Sequence, residues 1–444
     1  MNHVCFPDEA FFASSGFFFL KCWKKGEKGI IIALFKQYKG ETAQMNIRQN
    51  FNHTIAASFT GSAVQAIINN FAPLLFLTFQ ASYGISLDRI ALLVTINFGV
   101  QLFVDLLATK FADLLGYRTC IVIAHICSAA GLIGLAVLPE LFADHYIGLV
   151  AAIAIYAIGG GLIEVLVSPI VEACPTKRKA AMMSLLHSFY CWGHVFVVLV
   201  STAFFSLAGI NNWKILAFCW AVIPLVNTFY FMLVPIRRPV GEAEGLSVRK
   251  LTRVKVFWVM LLLMMCSGAC EQAVSQWAST FAEAGLGVTK TIGDLAGPCM
   301  FAVLMGLARV FYARFSEKIA LERFMFLSGV LCVVSYLLIS LVPSPVIGLI
   351  GCGLCGLSVG ILWPGSFSIA SREIPLGGTA MFALLALAGD LGCSTGPTFV
   401  GFVSGAFNDN LKVGILAAIV FPLLMLLGLF LCVILHRKKE AESV

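Results

Sequence analysis

The sequence predicts an all-α membrane protein of twelve transmembrane helices arranged as two pseudo-symmetric six-helix bundles. Three observations predict it. Of 444 residues, 59% are hydrophobic and only 12% are charged, against ~25% charged in an ordinary soluble domain, and the mean hydropathy is +0.93. Apolar runs of the ~20 residues needed to cross a bilayer recur twelve times. The two halves carry similar residues in the same order. A water-soluble globule of this length cannot hide so much apolar surface, which excludes soluble enzymes, disordered scaffolds and nucleic-acid readers.

In the first half the spans fall at 55–80, 89–109, 118–138, 146–173, 180–207 and 213–234. In the second half they fall at 256–281, 291–313, 321–342, 346–369, 377–407 and 411–435. The longest hydrophilic gap, 235–254, separates two sets of six. The expected organisation is therefore a poorly ordered cytoplasmic extension over 1–50 and a first bundle over 51–235. A cytoplasmic linker over 236–254, a second bundle over 255–436 and a cytoplasmic tail over 437–444 complete it.

Orientation follows from Lys and Arg in the gaps. One set of gaps holds Lys110, Arg118, Lys177, Arg178, Lys179, the six basic residues from Arg237 to Lys255, Arg314, Lys318, Arg323, Arg372 and the cluster Arg437, Lys438, Lys439. The other set holds only Arg89, Lys214, Lys290 and Lys412. The basic set marks the cytoplasmic side, so both termini are expected there, in the plasma membrane. The net charge of +7 thus serves topology rather than a nucleic-acid partner.

In the amino-terminal extension, 11–20 is apolar but too short to span. No basic region precedes it as a signal peptide requires. Lys21, Lys24, Lys25 and Lys28 suit the anionic inner leaflet, and Met45 is the favoured start of the chain. Asn52-His53-Thr54 spells a glycosylation sequon on the expected cytoplasmic side, where it has no use.

The internal repeat is read from ordered matches at offsets near two hundred. Gly61, Gln65, Ala66 and Asn69 answer Gly268, Gln272, Ala273 and Gln276. Gly160, Leu162, Ser168 and Pro175 answer Gly360, Leu362, Ser368 and Pro375. Ala181, Met182, Leu185 and Gly193 answer Ala380, Met381, Leu384 and Gly392, and Asp105 and Asp113 answer Arg309 and Glu317. Duplicated six-helix units with a central cavity are a transporter pattern.

On these residues the chain resembles the major facilitator superfamily over about 50–436. Ala112-Asp113-Leu114-Leu115-Gly116-Tyr117-Arg118 resembles the family's Gly-x-Leu-Ala-Asp-x-x-Gly-Arg-Arg/Lys loop between helices 2 and 3, with Tyr117 in place of an arginine. The resemblance implies gating roles for Asp105, Asp113, Arg118 and Arg309. Surface ion pairs of small weight are the alternative. Ser184-Leu185-Leu186-His187-Ser188-Phe189-Tyr190 is similar to helix 5 of the fucose/proton symporter-like sugar permeases. Glu164, after Gly159-Gly160-Gly161, stands where that branch carries a membrane-embedded acid. The branch's acid in helix 1 is absent, Asn69 and Asn70 occupying that region, so the coupling ion stays open.

An ionised group at the bilayer centre costs ~2.5–3.5 kcal/mol or more, so it persists where a cavity or a partner accepts it. Glu164, His187, His194, Glu271 and Asp390 lie mid-helix, with Gln65, Asn69, Asn70, Asn97, Gln101, Gln272, Gln276 and Trp277 nearby. Glu164 and Glu271 are the expected proton-coupling residues. Gln65, Asn69, Asn70, Gln101, His187, Tyr190, Gln272, Gln276, Trp277 and Asp390 are the expected substrate contacts. Amides both donate and accept, which suits a neutral polyhydroxylated solute. Helix–helix hydrogen bonds remain the alternative for them. Packing remains the alternative for Phe189, Tyr190, Trp192 and Trp277, and Asp390 fits a structural hydrogen bond as well as a site. Glu172 and Glu283 are read as solvated helix ends.

No metal site or cofactor is expected. Cys352 and Cys355 form a CxxC without the partner pair that zinc needs. Gly351-Cys352-Gly353-Leu354-Cys355-Gly356 spells GxGxxG outside any βαβ unit. The function these readings favour is a monomeric secondary active transporter of a small polar solute, a sugar being the expected class, driven by protons. The alternatives are a drug or amphiphile exporter, which calls for a wider apolar cavity, and a non-transporting membrane sensor, which calls for an output domain. A membrane enzyme has no triad or metal set to support it.

Overall fold

The computed structural model describes residues 46–175, 179–237, 246–315 and 319–443. The expectations for the extension up to residue 45, for the middle of the linker, and for Lys177, Arg178, Glu317 and Lys318 fall outside them.

Twelve helices are long and apolar enough to span a bilayer among the described residues. They are α1 (Phe51–Tyr83), α2 (Leu87–Leu115), α3 (Tyr117–Leu141), α4 (His145–Glu172), α5 (Lys179–Ala208) and α6 (Ile210–Leu233). The second half holds α7 (Lys255–Gly285), α8 (Lys290–Tyr312), α9 (Leu321–Leu341), α10 (Pro345–Glu373), α11 (Gly378–Ala406) and α12 (Leu411–Leu435). Each expected span overlaps one of them. Backbone groups are thus satisfied within helices, as a lipid environment demands. An even number of crossings puts the start of α1 and the end of α12 on one face, called here the terminus-side face.

The loop expected between helices 2 and 3 is shorter than the sequence suggested. Helix α2 continues through Asp113 to Leu115, and Gly116 alone separates it from α3. Gly116 sits at φ +85°, a conformation that costs glycine little.

The halves repeat one another in their packing. In the first, α1 packs on α4, α5 and α6, α4 on α2 and α3, and α3 on α6. In the second, α7 packs on α10, α11 and α12, α10 on α8 and α9, and α9 on α12. Matched glycines carry two of these contacts. Gly193 of α5 lies against Ala63 and Ala66 of α1, and at Gly392 of α11 a β-carbon would overlap Met265 O of α7. Between the halves the main seams are α2 with α11 and α5 with α8, which exchange under the same repeat. Exposed Leu106, Phe196, Phe229, Leu327, Ile350 and Phe430 present an apolar exterior.

Several spans are discontinuous. In α1 the helix gives way to a tighter turn at Ala72–Leu75, because Pro73 has no N–H to offer the Asn69 carbonyl four residues back. In α7 regular helix stops at Ser275, just before Gln276 and Trp277. In α10 it is interrupted at Gly360 and Ile361. Broken helices of this kind occur in membranes where freed backbone is buried in protein or lines a cavity.

Candidate functional site: the central cavity

A cavity of about 180 Å³ lies between the halves. It is lined from α1 by Ser62, Gln65 and Asn69, from α2 by Phe98 and Gln101, and from α4 by Ile163, Glu164, Val167 and Ser168. Leu186 and Tyr190 of α5, Glu271 and Gln272 of α7, Arg309 of α8, Trp363 of α10, and Asp390 and Cys393 of α11 complete it.

Its first-half wall is one continuous amide network. Gln65 Nε2 donates to Glu164 Oε2 at 2.7 Å and to Gln101 Oε1 at 3.0 Å. Gln101 Nε2 donates to Asn69 Oδ1 at 2.9 Å and to Asn97 Oδ1 at 3.0 Å, and Asn97 Nδ2 returns to Asn69 Oδ1 at 3.2 Å. The Gly159-Gly160-Gly161 run makes this possible. At Gly161 a β-carbon would stand 2.9 Å from Gln101 O and 3.0 Å from Asp105 Oδ1. Only glycine lets α2 come so close to α4 and bring Gln101 and Asp105 beside Glu164.

The second-half wall mirrors part of this. Gln276 Nε2 donates to Gln272 Oε1 at 2.9 Å, and Gln272 Nε2 to Glu271 Oε1 at 3.2 Å. Gln276 Nε2 also reaches Asn69 O at 3.1 Å, satisfying the carbonyl that Pro73 frees in the other half.

Two seams flank the cavity. At the α2–α11 seam, Asp105 and Asp390 bring carboxylate oxygens within 4.8 Å of each other and of Glu164. Among the described residues Asp105 Oδ1 has no hydrogen-bond partner although it is buried. At the α5–α8 seam, Arg309 donates from Nε to Gly360 O at 3.0 Å and from Nη1 to Cys191 Sγ at 3.0 Å. Glu164 is exposed to the cavity.

The halves are pressed together on the face away from the termini. Thr95 and Thr398 hydroxyls meet at 2.5 Å, Gly401 of α11 lies against Ala91 of α2, and Phe76 packs against Trp277 with centroids 5.4 Å apart. On that face Lys290 Nζ donates to Leu74 O at 2.7 Å across the halves. The cavity instead runs toward the terminus-side ends of α4 and α5, at Val167, Ser168 and Leu186.

The sequence-derived residues divide as follows. Gln65, Asn69, Gln101, Tyr190, Gln272, Asp390, Glu164 and Glu271 all line the cavity. Asn70 turns back to Ala66 O at 2.9 Å, and Trp277 is fully buried with Nε1 on Pro397 O at 2.9 Å. Gln276 stands behind Asn69 and Gln272 rather than on the cavity surface. Phe189 stacks on Phe59 at 4.6 Å. Of the residues expected in gating, Arg118 donates to Phe231 O and Met232 O at the end of α6. Asp105 and Arg309 stand at the central seams rather than at a surface loop. The side chains of Asp113 and His187 lie outside the described residues.

Sequence reasoning missed the cavity places of Arg309 and Trp363, and a buried cluster on the sealed face. There Lys290 meets Glu283 Oε1 at 3.1 Å and Asp294 at 3.2 Å, and Ser279 Oγ donates to Asp294 Oδ1 at 2.5 Å. Glu283 is therefore a paired and mostly buried group, not a solvated helix end. The i, i+4 spacing of Lys290 and Asp294 was the available signal. Cys352 and Cys355 are buried, and the described cysteines are all free thiols.

The Major Facilitator Superfamily model matches residues 55–397. The chain belongs to that superfamily. It is accordingly a multi-pass membrane transporter of small molecules rather than an enzyme. No curated protein sequence matches it. Among solved structures it is similar to a D-xylose-proton symporter, at 14% identity and TM-score 0.69, covering 86% of this chain and 95% of that one. It is similar also to a bacterial homologue of the human lysosomal transporter Spinster, in an inward-facing and occupied conformation, at 14% identity and TM-score 0.66, covering 86% and 96%. A third is the E. coli fucose:proton symporter FucP, at 16% identity and TM-score 0.59, covering 85% and 98%.

Proposed function

We propose that this superfamily member is a secondary active transporter of a small polar solute, with sugars as the leading class, and that it works by alternating access with proton coupling. The observation that carries this is the central cavity between the halves, walled by the Gln65–Gln101–Asn69 and Gln272–Gln276 amides and entered by Glu164 and Glu271. Its volume of about 180 Å³ lies below the ~300–1,000 Å³ of pockets for drug-sized ligands. That favours a small solute over an amphiphile. Two of the similar folds are named as proton symporters of sugars.

Glu164, Asp105 and Asp390 supply the coupling logic. Three carboxylates within 4.8 Å cannot all ionise cheaply. Two belong to one half and one to the other, so ionisation pushes the α2–α11 seam apart and proton uptake lets it close. Protons taken up on one face thereby favour the closed arrangement that carries solute to the other. Glu271 serves the second wall through Gln272. The chain acts as a monomer in the plasma membrane, with both termini cytoplasmic by the Lys and Arg asymmetry. The sealed face is then the outer one.

Uptake of labelled sugars into proteoliposomes, with and without a pH gradient, tests this reading. Glu164→Gln is expected to abolish gradient-driven accumulation while counterflow exchange persists in part. Equal accumulation by variant and parent removes Glu164 from coupling.

A further inference from the structure

Arg309 carries a charge that nothing on the cavity wall neutralises at contact distance. Its two hydrogen-bond acceptors, Gly360 O and Cys191 Sγ, are both neutral, and among the described residues no carboxylate stands within ion-pair distance of it. Glu271 shares the cavity but acts on it only from farther away. An unpaired ion inside the membrane is expensive. The cavity carboxylates can escape that cost by taking up a proton. A guanidinium cannot escape it by losing one. Protons therefore satisfy Glu164, Asp105 and Asp390, whereas Arg309 calls for an anion.

The internal repeat makes the same point. Cys191 and Asp390 stand 199 positions apart, as do Gly193 and Gly392, and Arg309 answers Asp105 at an offset of 204. The Arg309–Cys191 contact is thus the counterpart of the Asp105–Asp390 approach. One seam is acidic, and its counterpart has exchanged both acids, one for a guanidinium and one for a thiol. The cavity between them has a negative and a positive end. Gly360 O and Cys191 take Nε and Nη1, and among the described residues Nη2 has no hydrogen-bond partner.

We infer that the transported solute carries an oxyanion group, a carboxylate or phosphate ester on a polyhydroxylated body, and that Arg309 binds it. This rests on the cavity being the transport site proposed above. The amides take the hydroxyls, the guanidinium takes the anion, and the acidic seam takes the accompanying protons.

Calorimetry on the purified transporter with D-glucuronate, D-glucose 6-phosphate and D-glucose tests it. The expected result is binding about tenfold tighter or better for one of the charged sugars than for glucose. Arg309→Gln erases that preference and Arg309→Lys keeps part of it, with both variants melting near the parent. Whichever charged sugar binds identifies the oxyanion. Glucose binding as tightly as both charged sugars, a preference that survives Arg309→Gln, or binding of none of the three overturns the inference. Gradient-driven uptake of glucose without preference for the charged sugars leaves the transport reading standing and overturns only this one. Tight binding of a charged sugar without gradient-driven uptake supports this inference and overturns the proton coupling instead.

Discussion

Two cations nineteen positions apart on α8, Lys290 and Arg309, show opposite ways of holding charge in a membrane. Lys290 is mostly buried on the sealed face, its side chain 19% exposed, and meets Glu283, the fully buried Asp294 and the Leu74 carbonyl of the other half. It also lies 5.5 Å from the Phe205 ring centroid, and Thr202 of α5 donates to Asp294 at 3.4 Å. In that cluster two carboxylates share one ammonium, so the cation is neutralised within the protein. Among the described residues Arg309 has only a carbonyl and a thiol in contact, with Glu271 acting from farther away. The first arrangement ties two halves together, and the second leaves electrostatic work for a solute. A charge settled by its own chain is a structural element. A charge left unsettled beside a cavity is a binding element.

This contrast makes predictions that differ in size. Lys290→Met leaves the fully buried Asp294 and the mostly buried Glu283 without their shared cation, and breaking a buried pair in this way costs about 3–5 kcal/mol. The thermal unfolding midpoint in detergent is expected to fall steeply, and an unchanged midpoint would erase the distinction between the two cations. Arg309→Met removes a charge that has no counter-ion in contact, so stability is expected to stay within about 1 kcal/mol of the parent or to rise. A loss as large as that of Lys290→Met would make Arg309 structural. Thr398→Ala removes one neutral contact from the same sealed face and is expected to cost about 0.6 kcal/mol. A larger drop in midpoint would mean that the hydroxyl contacts, rather than the ion cluster, hold the face shut.

Much of the fold was legible because lipid imposes a simple code. Runs such as 146–173 or 411–435 can only be helices, since no other single segment satisfies its backbone in hydrocarbon. The repeat was legible where small residues set helix contacts, as at Gly193 and Gly392. The cavity walls were legible in part, because buried amides and acids at Gln65, Asn69, Glu164 and Gln272 are costly anywhere but at a cavity or a partner. The exceptions share one cause. Asn70 and Trp277 have the right chemistry, but their helices turn them toward Ala66 O and Pro397 O. Arg309 and Asp105 read as loop-side charges until the packing of α5 with α8 and α2 with α11 set them beside the cavity.

The sequence by itself determined that this chain crosses a membrane twelve times as two related halves. Apolar length and glycine spacing are local properties that the bilayer reads directly. Only the tertiary structure decided which polar groups meet: that Gln276 satisfies the carbonyl Pro73 releases, that three acids gather at one seam, and that Arg309 faces its cavity with no carboxylate in contact among the described residues. Those meetings join residues distant in the chain, and their energies depend on a few ångströms of separation in a medium of low dielectric, which no residue pattern encodes.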